Sequence, residues 1–75
     1  MVKAYVLIEC ETGSIQSIVD DIRGIDAVTD STAVTGEYDI ITELEVDQVD
    51  QILKTVAGRI HELPGVEDTT TCIST

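Results

Sequence analysis

Phenylalanine and tryptophan are absent from this chain and tyrosine occurs only twice, so its core has to be built from Ile, Val, Leu and Ala. Basic residues are almost as scarce: 4 Lys and Arg stand against 15 Asp and Glu, a net charge of −11. Such a chain repels nucleic-acid phosphates and has no basic patch to hold them. The acids are scattered, as on a solvated surface, and a high-salt cytosol would favour the same excess. Two cysteines, Cys10 and Cys72, form neither a disulfide framework nor a metal-ligand cluster, and the expectation is two half-buried, reduced thiols. No segment approaches the roughly 20 apolar residues of a membrane span. The N-terminus "MVKAYVLIEC" lacks the small-residue cleavage site of a signal peptide. The expected location is the cytoplasm, without membrane or direct nucleic-acid contacts.

What is present is 75 residues, 43% of them hydrophobic. That is one domain, residues 1–75, and too apolar for a disordered tail. It stands near the lower size limit for an independent core, where oligomerisation commonly adds stability.

Val2 to Cys10 is an apolar, β-branched run and reads as a strand buried on both faces. In "SIQSIVDDIRG", Ile15, Ile18, Val19 and Ile22 form one helical stripe. Ser14 is its candidate N-cap, and Gly24 stands where a left-handed residue would end it. Residues 27–34 and 38–46 read as two strands turning at Thr35 and Gly36. Asp47 is the candidate N-cap of a second helix with the stripe Val49, Ile52, Leu53, Val56 and Ile60, stopped by "LPG". "VEDTTTCIST" reads as a final strand.

Strand, helix, strand, strand, helix, strand is the ferredoxin-like split arrangement. It predicts an α+β fold: a four-stranded antiparallel sheet in the order 4-1-3-2 with both helices on one face. Cys10 and Cys72 then lie at opposite ends of the sheet, too far apart to bond. The other sheet face carries no helix. Alternation assigns Tyr5, Leu7, Ile41, Thr69, Thr71 and Ile73 to that open face, and Tyr38 to the helix side. Tyr5, Leu7, Ile41 and Ile73 would form an exposed apolar patch, which points to a subunit interface, most simply about a two-fold axis.

The stretch "VTGEYDII" poses a separate question, because a hairpin needs only Gly36 to turn, yet Glu37, Tyr38 and Asp39 stand beside it. With a helix ending "LPGV" and a strand "TTTCI", it resembles the C-terminal effector domain of the Lrp/AsnC transcriptional regulators, the RAM (regulation of amino acid metabolism) domain. The anchors are G-x-Y-D at Gly36, Tyr38 and Asp39, and G-V-x-x-T-x-T at Gly65, Val66, Thr69 and Thr71. The resemblance spans essentially the whole chain. Family members usually carry an N-terminal helix-turn-helix; here residue 2 already begins the first strand, so the expectation is a stand-alone effector domain that does not itself bind DNA. The resemblance implies dimers that assemble further, and a small effector, an amino acid or a relative, bound between dimers near the G-x-Y-D turn. A full-length Lrp/AsnC regulator is the candidate protein partner.

The chemistry of such a site can be written from the residues. An amino acid's ammonium needs an acceptor, which Asp39 or Glu37 could supply. Its carboxylate needs donors, for which the Thr69 and Thr71 hydroxyls and the backbone N–H groups around Gly36 qualify. Gly36 also permits close backbone approach. The hairpin and the last strand lie on opposite edges of the sheet, so a site using both would be built between subunits. The plainer reading of Asp39 is a turn carboxylate accepting backbone N–H bonds. His61, the only histidine, falls in the last turn of the second helix, where the helix dipole favours a cation. No nucleophile and base can be assembled around it, so an enzyme is not expected. Asp20 with Asp21 and Glu67 with Asp68 lack the spaced oxygen ligands of a cation loop. Neither a cofactor nor a metal is expected. The alternative to effector binding is a structural domain that co-assembles with a larger regulator or enzyme.

Overall fold

In the computed structural model of the protein, which describes residues 1–74, the chain begins with β1 (Val2–Cys10) and a 3₁₀ turn (Thr12–Ser14) leading into α1 (Ile15–Arg23). β2 (Val28–Ala33) and β3 (Ile40–Val46) follow, then α2 (Val49–Thr55), a π turn (Val56–Ile60) and β4 (Val66–Ser74). The four strands form one antiparallel sheet in the order β2-β3-β1-β4. This is the predicted ferredoxin-like arrangement.

One face of β1 and β3 supplies most of the sheet's share of the core. Ala4, Val6, Ile8 and Cys10 alternate with less buried residues, as do Ile40, Thr42, Leu44 and Val46. Ile18, Val19 and Ile22 of α1 and Ile52, Val56 and Ile60 of the second helical segment close over them. Two polar residues of this layer, Ser31 and Thr42, are fully buried and hydrogen-bond each other, Oγ to Oγ1 at 3.1 Å. Pairing them offsets the desolvation cost that either would carry alone.

Local chemistry departs from the sequence reading at several points. Ser14 does occupy the N-cap of α1, but its hydroxyl makes no capping bond, and the preceding 3₁₀ turn supplies a Ser14 N–H to Glu11 carbonyl bond instead. Gly24 ends α1 with φ −80°, so no left-handed residue is used there. The N-cap of α2 is Gln48, not Asp47: the Gln48 and Gln51 side chains satisfy each other's backbone N–H groups in a capping box. The α2 stripe is narrower than its sequence, since Val49 and Leu53 are 48% and 61% exposed. The helix ends in a π turn, marked by His61 N–H to Val56 C=O, with Val56 and Ile60 both buried as the stripe predicted. The β2–β3 connection is a longer loop than a tight turn, closed by Val34 N–H to Asp39 C=O at 2.9 Å.

β4 departs furthest from simple alternation. Glu9 pairs with Asp68 but Cys10 pairs with Val66, so Glu67 is an extra residue, a β-bulge. An extra residue reverses which side chains face which side. Val66 faces the core, yet beyond the bulge Thr69, Thr71 and Ile73 stand opposite Ile8, Val6 and Ala4, on the helix side. Thr70 and Cys72, opposite Leu7 and Tyr5, take the open face. The assignment of Thr69, Thr71 and Ile73 to the open face is therefore reversed, and Ile73 does not belong to the apolar patch. Cys10 is buried and Cys72 exposed, and both are free thiols, rather than two half-buried ones.

Candidate functional site

The 34–39 loop joins β2 to β3 at the end of the sheet where β1 finishes and β4 starts. Gly36 has φ +130°, which L side chains rarely adopt, so the loop needs glycine there. Glu37 is exposed, and Tyr38 and Asp39 are half-buried.

Asp39 is held at two points. Its N–H donates to the Ile8 carbonyl at 2.8 Å, and its carboxylate Oδ2 accepts the Cys10 N–H at 2.9 Å. The second bond follows from where β3 begins. Its pairing with β1 starts at Ile40 opposite Ile8, so no β3 carbonyl stands opposite Cys10, and the Asp39 side chain takes that place. Asp39 thus performs the turn role of the plainer reading, while Oδ1 has no hydrogen-bond partner among the described residues. Its charge also reaches the Cys10 thiol, whose pKa is raised above the ordinary 9.0 first by burial, then by Asp39 and then by Glu67.

Tyr38 lies outside the strand alternation, since β3 begins only at Ile40. Its hydroxyl lies 3.4 Å from Thr70 Oγ1, the long end of a hydrogen bond. Thr70 stands opposite Leu7 on β1. The ring therefore extends across β1 on the open face, not into the helix-side core as the alternation predicted, and it brings the loop to β4 within one chain, which the opposite-edge argument had reserved for a contact between subunits. Thr69 and Thr71 do not join the loop. Thr69 Oγ1 lies 3.4 Å from His61 Nδ1 on the helix side, and Thr71 stands opposite Val6. Thr70 and the Cys10 N–H are the two participants that sequence reasoning missed. A bulge at Glu67 is the signal that would have found Thr70, and a β3 starting two residues later would have found the unpaired N–H.

The open face adjoins this loop. Tyr5 and Ile41 are 37% and 38% exposed, and Leu7, Thr32, Thr70 and Cys72 share their side of the sheet by register. Acidic residues rim the patch. Glu43 has Lys3 at 3.9 Å, while Glu9, Asp30, Glu45 and Asp68 lie on the same face. Among the described residues the single chain holds no enclosed pocket, and no three His, Cys, Asp or Glu side chains converge as metal ligands.

Residues 3–75 match the model of the Lrp/AsnC ligand binding domain. No curated protein is significantly similar in sequence. Among solved structures, TTHA0845 from Thermus thermophilus is 29% identical with a TM-score of 0.96, covering 100% of this chain and 94% of its own. The hypothetical protein PHS023 from Pyrococcus horikoshii is 25% identical with a TM-score of 0.93, covering 100% and 90%. The Neisseria meningitidis transcriptional regulator NMB0573, solved as an L-Met complex, shares the fold at 16% identity and a TM-score of 0.88; the match covers 99% of this chain and 49% of the regulator. With the βαββαβ topology, the Gly36–Asp39 loop and a match over nearly the whole length, the chain belongs to the Lrp/AsnC ligand-binding domain family.

Proposed function

We propose that the protein is an oligomeric regulatory module that binds a small effector, an amino acid or a close relative, between subunits at the 34–39 loop. Through a partner such as a full-length Lrp/AsnC regulator it would modulate transcription or metabolism. The observation that carries this reading is the state of Asp39: one carboxylate oxygen is fixed by the Cys10 N–H, and the other is without a partner among the described residues. A carboxylate fixed in that way is pre-organised for an ammonium group, and pre-organisation lowers the entropic cost of binding. Gly36, Glu37 and Tyr38 precede it in the same loop. Thr70 replaces Thr69 and Thr71 as the nearest β4 hydroxyl, through its contact with Tyr38. The L-Met complex of the Neisseria regulator supports an amino acid as the ligand class.

The subunit contact proposed for the dimer is the open face around Tyr5, Leu7 and Ile41. Thr69 and Thr71 contribute only if a neighbouring subunit brings its helix-side edge to the loop. The module is read as non-enzymatic: the hydrogen-bonding neighbour of the His61 Nδ1 is the Thr69 hydroxyl, at a long 3.4 Å, and the family matched is a ligand-binding domain. Calorimetry against the twenty amino acids is the test. A ligand present at 100 times its dissociation constant should also raise stability by ~2.7 kcal/mol. Absence of binding at millimolar concentration would reject the effector reading in favour of a structural module.

A further inference from the structure

The two edges of the sheet are unequal. In β1 the even-numbered residues bond toward β3, as the Ile8 carbonyl does with Asp39, so the odd-numbered ones bond toward β4. Antiparallel geometry then directs the N–H and C=O groups of Thr69, Thr71 and Ile73 away from β1, to the free edge. By the same rule Ser31 directs its groups to the free edge of β2. At Ser31 both groups are occupied. Its N–H donates to Asp30 Oδ1 at 2.9 Å, and its carbonyl accepts Arg23 Nη2 at 2.8 Å and Nε at 3.2 Å. The middle of the β2 edge is thereby closed to another strand. Among the described residues of β4 the one matching guard is at the start, where Asp68 Oδ1 accepts the Thr69 N–H at 2.9 Å. From the Thr69 carbonyl to Ser74 the edge is open among the described residues.

We propose that this open edge of β4 pairs antiparallel with the same edge of a second copy of the chain, joining two four-stranded sheets into one. The register that engages the Thr69 carbonyl, both Thr71 groups and the Ile73 N–H centres on Thr71. Thr71 exchanges both backbone bonds with its symmetry mate, and each Ile73 N–H donates to the Thr69 carbonyl of the other copy, leaving the Asp68 guard undisturbed. Charge favours a second copy as the occupant. In a chain of net charge −11, Thr69 to Ser74 carries no charge, so two copies meet here without opposing carboxylates across the strands. Ile73, 41% exposed on the helix side of this edge, would be covered by the incoming strand. Edge strands meant to stay single commonly carry Lys, Pro or inward charges, and β4 has none beyond the acids at its start, Glu67 and Asp68. The pairing uses atoms of neither the open face nor the 34–39 loop, so it stands apart from the effector reading.

Amide hydrogen exchange on the assembled protein tests it directly. The Thr71 and Ile73 amides should exchange at least about tenfold more slowly than that of Ala33, an outward-facing residue of the β2 edge. Exchange at the Ala33 rate in a protein that sedimentation shows to be oligomeric, or a monomer at all concentrations, would overturn the proposal. Thr71→Pro removes the outward N–H without touching the β1 ladder, as proline on an edge strand can. It should halve the assembly mass wherever edge pairing joins dimers, with the circular dichroism spectrum retained. If that variant fails to fold, Ile73→Glu decides, by the same mass change. Leu7→Asp, aimed at the open face, should leave the Thr71 and Ile73 protection in place, which separates failure of this edge from failure of the face.

Discussion

Asp39 is given two tasks, anchoring the Cys10 N–H and receiving a ligand ammonium, and two substitutions separate them. Asparagine keeps an oxygen able to accept the Cys10 N–H at the observed 2.9 Å but removes the charge. A bond to a charged acceptor contributes about 1.5–3 kcal/mol and a neutral one about 0.5–1.5 kcal/mol. Asp39→Asn should therefore destabilise the fold by about 1 kcal/mol, or roughly 4–8 °C in a domain of this size. Alanine leaves the Cys10 N–H without its partner, at a cost of about 1–3 kcal/mol. Ligand affinity should behave differently. Both variants lose the charge, so both should bind roughly ten- to a hundred-fold more weakly. Urea unfolding and titration calorimetry on the same preparations provide the two readouts. Two results would refute the reasoning: an Asp39→Asn protein that stays folded and binds with unchanged affinity, or one no more stable than Asp39→Ala. The first removes the ammonium role, and the second shows that the anchor depends on charge rather than on hydrogen-bond geometry.

Gly65 and Gly36 both have positive φ, 94° and 130°, but a Cβ on Gly65 would lie 2.7 Å from Ser14 Cβ and Oγ, whereas one on Gly36 meets nothing within 4 Å. Gly36→Ala should cost about 1–2 kcal/mol in backbone strain, and Gly65→Ala a further 1–3 kcal/mol or so in overpacking; chemical denaturation showing the reverse order would contradict the packing. The acidic rim of the open face predicts tighter assembly in molar salt, where the Debye length falls to ~3 Å; light scattering showing dissociation would mean that ion pairs such as Lys3–Glu43 hold the interface. Because the Cys10 pKa is raised in the fold, its contribution is intact below the unfolded value near 9.0 and is lost as pH climbs from there through the folded value, so alkaline unfolding should steepen in that range and less so in Cys10→Ala.

The topology was legible because local and global signals agree. The β1 run, the α1 stripe and the LPG stop each point to one element, and right-handed crossovers leave one arrangement. Helix details were less so. A side-chain stripe does not say how far a helix tilts off the sheet, and Val49 and Leu53 satisfy the helical period while remaining largely exposed. The capping residue shifted from Asp47 to Gln48 because a reciprocal pair with Gln51 satisfies more backbone groups than a single carboxylate would.

The candidate site was legible along the chain but not across it. Gly36, Glu37, Tyr38 and Asp39 announce themselves by being out of place in a hairpin, and a loop of that kind needs no long-range information to be noticed. Which β4 residue it meets depends on register, and register turns on the bulge at Glu67. Alternation counted through that residue exchanges Thr70 for Thr69 and Thr71, and Cys72 for Ile73. The bulge therefore turns Thr70 toward the face where Tyr38 reaches it. Two single-residue deletions test this account. Deleting Glu67 takes out the residue that has no partner, so Val66 stays opposite Cys10, Asp68 stays opposite Glu9, and Thr70 keeps its place beside Tyr38. Deleting Thr69 instead makes the strand absorb the bulge: Glu67 moves opposite Glu9, and Asp68 moves opposite Ile8, onto the helix side. That brings a carboxylate toward the apolar layer, which a strand resists because an unpaired charge is costly to bury. Urea unfolding should therefore find the Glu67 deletion the more stable of the two. Equal losses would mean that Glu67 is not the extra residue, and the facing assigned to Thr70 would fall with it.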